Sequence, residues 1–154
     1  DRMGVPYNEV NIGSVDLKSS LSKEETIQFG RELQDIGFEI LIERKQKLAE
    51  EIKIALQELV NSKEENSLKT SSFLSERFNL EYSYLSNVFS ETQGESIEKY
   101  LISLKIEKIK ELLSYEATLA EIASQLQYSS VAHLSTQFKK NTGLSPSEYK
   151  KQMV

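Results

Sequence analysis

The sequence predicts a mainly α fold: a tandem helix-turn-helix domain joined by a long helix and preceded by a small α+β module. Three observations predict it. First, the last third of the chain repeats itself. Residues Leu85 to Tyr100 read L-S-N-V-F-S-E-T-Q-G-E-S-I-E-K-Y, and Leu134 to Tyr149 read L-S-T-Q-F-K-K-N-T-G-L-S-P-S-E-Y. Leu85, Ser86, Phe89, Gly94, Ser96 and Tyr100 recur 49 positions later as Leu134, Ser135, Phe138, Gly143, Ser145 and Tyr149. Upstream the offset is 48, pairing Leu74 with Ile122 and Phe78 with Leu126, so one residue has been added in the turn between the two blocks. A duplicated helix-turn-helix unit explains the pattern, because each copy needs the same core positions and the same turn. Second, helix start and stop signals fall at matching places in both copies. Third, the first part of the chain changes from a period of two to helical spacing.

Each element follows in order. Residues 5–17 alternate in short stretches, Val10 with Ile12 and Val15 with Leu17, which predicts extended structure with a turn or bulge at Gly13-Ser14. Ser22 and Glu25 form a capping-box pattern that opens a helix with Phe29, Leu33 and Ile36 on its apolar face. Gly37 is a natural stop, and Phe38 to Ile42 reads as a short buried strand. A long helix is expected from about Arg44 to Val60, with Leu48, Ile52, Leu56 and Leu59 in one stripe. That stripe is expected to cover the small sheet, the alternative being pairing with a second subunit. The polar segment Asn61 to Thr70 marks a boundary, which gives modules at 1–65 and 66–154. The first unit should use helices at about Ser71–Phe78 and Glu81–Glu91, and Ser96 should start a linking helix reaching Leu113. Thr118 and Glu121 cap a helix through Leu126, and Ser129 or Ser130 caps the next, which runs to about Lys140 and stops at Gly143. Ser145-Pro146-Ser147-Glu148 places a cap, a proline at the first helical position and a glutamate at the third, opening the last helix. Leu85, Phe89, Leu134 and Phe138 are expected in the core.

Composition narrows the function classes. The chain has 154 residues, 38% hydrophobic and 28% charged, as in a globular protein. Its apolar runs, such as Ile40-Leu41-Ile42, are too short to span a bilayer, and no signal-peptide pattern opens the chain. Because the first residue is Asp1, the natural start is expected upstream. No cysteine is present, so disulfides and thiolate metal sites are excluded, and the single histidine, His133, cannot build a histidine-rich metal site. No nucleophile with a histidine base and no glycine-rich phosphate loop is found, so neither enzyme activity nor a cofactor is expected. Net charge is −5, unevenly placed: residues 1–65 hold 9 Lys or Arg against 14 Asp or Glu, and residues 66–154 hold 10 of each. A neutral repeat half predicts weak non-specific affinity for nucleic acid.

The segment Ile122-Ala123, Leu126, Tyr128, Phe138-Lys139-Lys140, Gly143, Ser145-Pro146 and Tyr149 resembles the AraC-type DNA-binding domain of bacterial transcription regulators. The resemblance covers roughly residues 70–152. It implies a cytoplasmic protein whose partner is double-stranded DNA, read by two recognition helices in the major groove. Carried over position by position, it assigns base contacts to Ser83, Ser86 and Asn87 in the first unit. In the second unit they fall on Val131, Ala132, Ser135 and Thr136. Lys139 and Lys140 match the basic pair beside the DNA backbone, and Lys105 stands where the family commonly has arginine in the linking helix. Phosphate contacts are expected from these three lysines. The chain departs from the pattern at Ser90-Glu91, where basic residues are usual, and at Gln127, where glycine is usual. The N-terminal order of extended segment, helix, strand and helix resembles the second half of a ferredoxin-like metal-chaperone domain lacking its first strand and helix, without a Cys-x-x-Cys.

The amide of Asn87 matches the donor and acceptor on adenine's major-groove edge, and the alternative is a solvated surface residue. Small hydroxyls at Ser83, Ser86, Ser135 and Thr136 carry little specificity. Val131 can touch thymine methyls, whereas Ala132 is expected to pack inward. His133 is expected to pack rather than to catalyse. The rival function is a protein-interaction module with a degenerate helix-turn-helix fold, which the uncharged first reader helix would suit. A homodimer through residues 1–60 is also expected, since two or three short strands leave an open sheet edge.

Overall fold

The computed structural model describes residues 7–11, 14–17, 20–35, 41–63 and 68–153. Contacts divide the chain into Asp1–Lys47 and Leu48–Val154, two units that are described separately.

In the first unit, β1 (Tyr7–Asn11) and β2 (Ser14–Leu17) pair antiparallel, with Val10 opposite Val15 and Asn11 opposite Ser14. The period-two reading therefore yields a hairpin; of the turn or bulge expected at Gly13-Ser14, Ser14 already pairs with Asn11 in β2, and residue 13 lies outside the described residues. Helix α1 (Lys23–Asp35) opens on the expected capping box. The Glu25 N–H donates to Ser22 Oγ at 3.2 Å, and the Ser22 N–H donates to Glu25 Oε2 at 2.8 Å. The stop at Gly37 and most of the strand expected at Phe38–Ile42 lie outside the described residues. Leu41 and Ile42 are not extended: they open helix α2 (Leu41–Asn61). A short apolar run has no periodicity of its own, and here it merges with the helical spacing that follows.

The second unit contains residues 48–61 of α2 and six further helices. These are α3 (Thr70–Phe78), α4 (Tyr82–Gln93), α5 (Ile97–Ser114), α6 (Leu119–Gln125), α7 (Val131–Thr142) and α8 (Pro146–Gln152). The stripe on α2 is taken up inside this unit. Ala49, Ile52, Ala55 and Leu56 are buried with Leu74, Leu85, Phe89 and Ile97, and Leu48 packs against that cluster. Helices α3, α4 and α5 contribute one or two of these buried residues each, and α2 contributes four, forming the remaining wall. Leu56 and Ile52 are 0% exposed, so that part of the stripe is also closed to a second subunit. Val60 belongs to the other core, with Ile106, Ile109, Leu113, Ile122, Leu126, Leu134 and Phe138.

The repeat is physical as well as textual. Gly94 (φ +74°) and Gly143 (φ +83°) end α4 and α7 in the left-handed region. A Cβ there would meet nothing within 4 Å, so backbone angle, not space, demands glycine. Ser96 and Ser145 cap the helices that follow, accepting from the N–H groups of Lys99 (3.1 Å) and Glu148 (3.2 Å). Phe89 meets Tyr100 and Phe138 meets Tyr149, each pair with ring centroids 5.5 Å apart. Asn79 (φ +52°) and Gln127 (φ +59°), 48 positions apart, end the first helix of each unit in the left-handed region.

Candidate nucleic-acid interface

Helix α4 buries Leu85, Val88 and Phe89, which turns the remaining faces outward. Ser83 and Asn87 are exposed and one turn apart, Ser86 is half-buried beside them, and Ser90 extends the row. Helix α7 repeats the geometry. Ser130, one of the two expected caps, accepts from the His133 N–H at 3.0 Å. Leu134 and Phe138 are buried, while Val131, Ala132, Thr136, Lys139 and Lys140 are exposed and Ser135 is half-buried. The exposure of Ala132 corrects its expected inward packing, because Leu134 and Phe138 already define the buried stripe and residue 132 lies well off it.

Two further residues meet the Tyr128 ring. His133 packs, as expected, and does so at the exposed surface of α7. Its ring meets Tyr128 edge-on at 5.2 Å between centroids, and its Nδ1 lies 3.2 Å from Ser129 Oγ. Lys105 is half-buried, with its Nζ 5.0 Å from the centre of the Tyr128 ring. Burial lowers its pKa from the ordinary lysine value. It is thus held against Tyr128, unlike the open Lys139 and Lys140.

The electrostatics of the two helix-turn-helix units, the first built on α3 and α4 and the second on α6 and α7, differ. Helix α4 carries no cation, and Glu91 is exposed on it. Arg77, on α3, is engaged by Glu58 of α2. In the second unit, Lys139 and Lys140 form the last turn of α7, and Lys150 and Lys151 the last turn of α8. Glu148 is held below the ordinary carboxylate range, chiefly by the Ser145 N–H and hydroxyl, with Lys139 and Lys151 adding to the effect. On α5, Lys108 and Lys110 pair with Glu111 (3.0 Å) and Glu107 (2.7 Å) in their own helix.

Little in the sequence marks Tyr84, which is 43% exposed on α4 and stands where His133 stands in the second helix-turn-helix unit. An aromatic beside Ser83 in the repeat was its only signal. Lys150 and Lys151 show in the sequence only as charge. Among the described residues, no group of three or more His, Cys, Asp or Glu side chains could hold a metal ion. No described helix is long and apolar enough to cross a membrane.

Comparison with known proteins agrees with this geometry. A helix-turn-helix domain family model matches residues 74–152. The Msm operon regulatory protein of Streptococcus mutans is 26% identical over 99 residues, which are 64% of this chain and 35% of that protein. The chain therefore spans about a third of that relative. The C-terminal domain of AraT, a response regulator from Geobacillus stearothermophilus, superposes with a TM-score of 0.60 at 28% identity, over 68% of this chain and 84% of that one. The C-terminal domain of the two-component response regulator yesN from Fusobacterium nucleatum gives 0.55 at 33% identity, over 65% and 98%. The DNA-binding domain of AdpA, a global transcriptional factor solved with a target DNA, shares the fold with a TM-score of 0.55 at 21% identity, over 68% and 90%. With the doubled unit, its turns and its buried positions accounted for, the chain belongs to the AraC-type helix-turn-helix domain family.

Proposed function

We propose that the chain is a transcription regulator that binds double-stranded DNA sequence-specifically through α4 and α7. The observation that carries this reading is the pair of outward faces at repeat-equivalent positions, Ser83-Ser86-Asn87 on α4 and Ala132-Ser135-Thr136 on α7. Val131 adds an apolar contact for a thymine methyl. Helix α5 joins the units with 18 residues, about 27 Å at 1.5 Å per residue. That is on the order of the roughly 34 Å between successive major-groove segments on one face of a duplex.

The second unit dominates affinity in this reading. Lys139 and Lys140 lie beside the backbone, and Lys151, which with Lys139 acts on Glu148, adds positive charge nearby. Ser90 and Glu91 occupy the equivalent places in the first unit. Lys105, turned to Tyr128, is the weakest of the three expected phosphate contacts. Replacing Lys139 and Lys140 together by alanine should weaken all duplexes alike. It should lower the salt slope by about 1 to 2, since each lost phosphate contact removes about 0.9. A salt titration with an unchanged slope would overturn this role.

Self-association belongs to the same proposal. Among the described residues β1 and β2 pair only with each other, and a two-stranded sheet leaves edges that another chain can complete. A dimer through the N-terminal residues would bring two reading modules to adjacent sites. The cytoplasmic placement follows from the same reading.

A further inference from the structure

Two side chains on α5 point to a device that sets the geometry of reading. Tyr82 opens α4, and its hydroxyl donates to Glu98 Oε1 in the first turn of α5. Seven residues further along α5, Lys105 lies over the Tyr128 ring, 5.0 Å from its centre. The Tyr128 hydroxyl in turn donates to Gln137 Oε1 on α7 at 2.6 Å. Seven residues turn a helix through about 700°, so Glu98 and Lys105 share one face, about 10 Å apart along the axis. One tie therefore runs from this face to each recognition helix. The apolar cores also hold α4 and α7, but burial of apolar area is non-directional and permits small slides and rotations. A hydrogen bond and a cation over a ring are directional and resist them.

We propose that Glu98 and Lys105 are positioning residues, two pins on one face of α5 that fix the setting of α4 relative to α7 and so the spacing of the two duplex segments read together. The pins concern the protein alone, whereas their effect on spacing rests on the DNA-binding reading above. In this role Lys105 serves Tyr128 and not a phosphate.

The absence of cysteine makes the test direct, because Ser90→Cys and Lys140→Cys, both exposed, place one spin label on each recognition helix without background. Pulsed dipolar spectroscopy of the full chain should give one narrow distance distribution. Tyr82→Phe and Lys105→Met, which keep the ring and the apolar stem, should each broaden it about twofold. Lys105→Arg should restore the narrow form, and all variants should still melt cooperatively. Equal widths throughout would overturn the pins. With duplexes whose two segments are moved apart by one base pair, the natural chain should discriminate about tenfold and the pin variants about threefold or less, the loss of one directional tie. Undiminished discrimination in the variants, or none in the natural chain, also overturns the proposal. A natural chain that binds no duplex would instead overturn the DNA-binding reading, and the spin-label widths would still decide the pins. A fall of about 1 in the salt slope of Lys105→Met would return that lysine to the phosphates.

Discussion

Asn87 is the exposed residue of α4 best equipped to read a base, since its amide offers a donor and an acceptor side by side. Asn87→Ala should relax the preference at one base position, at a cost of roughly 1–3 kcal/mol if both bonds are made. Site selection from random duplexes checks it, and a uniform loss with an unchanged preferred sequence assigns Asn87 to the backbone or to folding. Gln127 makes a separate point. It holds φ +59° at the position where the family commonly has glycine. A side chain in that region costs about 1–2 kcal/mol, partly offset by the restriction it places on the unfolded chain. Gln127→Gly should raise stability by about 0.5–1 kcal/mol. A denaturant midpoint that stays or falls would show that the contacts of Gln127 outweigh the strain. The departure from glycine was legible in the sequence, but the backbone angle that makes it costly was not.

At the scale of elements, the helices with chemical start signals were the legible ones. Thr118/Glu121 and Ser145/Glu148 both close reciprocal capping boxes, because serine and threonine satisfy the N–H groups that a helix start leaves open. The start of α2 was not legible, since Leu41-Ile42 carries no cap and no period. The turn before α7 holds Tyr128, one of two tyrosines whose ionisation burial opposes. Burial raises the Tyr128 hydroxyl from 10.0 to about 12. A folded pKa above the unfolded one contributes stability in full below pH about 10, and that contribution disappears as pH rises to about 12. Stability measured by denaturant should therefore fall across this window, and Tyr128→Phe should fall less steeply. Burial raises Tyr82 in the same sense, helped by Glu98, so the double variant with Tyr82→Phe should be flatter still. Parallel pH profiles for the natural and variant chains would assign the alkaline loss to other groups.

For the whole molecule, the useful division is the one between Lys47 and Leu48. The polar segment at 61–70 suggested a boundary near residue 65, yet Ile52 and Leu56 are fully buried against Leu74, Leu85 and Phe89. A chain cut at residue 66 loses that wall, and its first helix-turn-helix unit should melt well below that of a chain cut at residue 48. Losing even one buried leucine or isoleucine costs about 2–5 kcal/mol. Sedimentation of the full chain and of residues 48–154 tests the proposed dimer. The full chain should associate at tens of micromolar (about that range suffices for a weak interface) and the shorter one should not. Two monomers would leave the N-terminal unit without a role in assembly.

The sequence by itself determined the doubled helix-turn-helix unit, its caps, its glycine stops and its four central core residues. These depend on local chemistry: a hydroxyl three residues from a glutamate, a residue without Cβ where φ must be positive, apolar side chains four apart. The outward positions on α4 and α7, Ala132 excepted, came from the resemblance, and they agree with helix geometry because a helix that buries one stripe shows the opposite one. Tertiary structure alone decided where the α2 stripe goes, that Ala132 faces out, and that Lys105 is taken up by Tyr128. Each depends on what lies opposite in space. An apolar stripe fits a sheet, a second subunit or a bundle equally well, and a lysine carries the same charge over a ring as beside a phosphate.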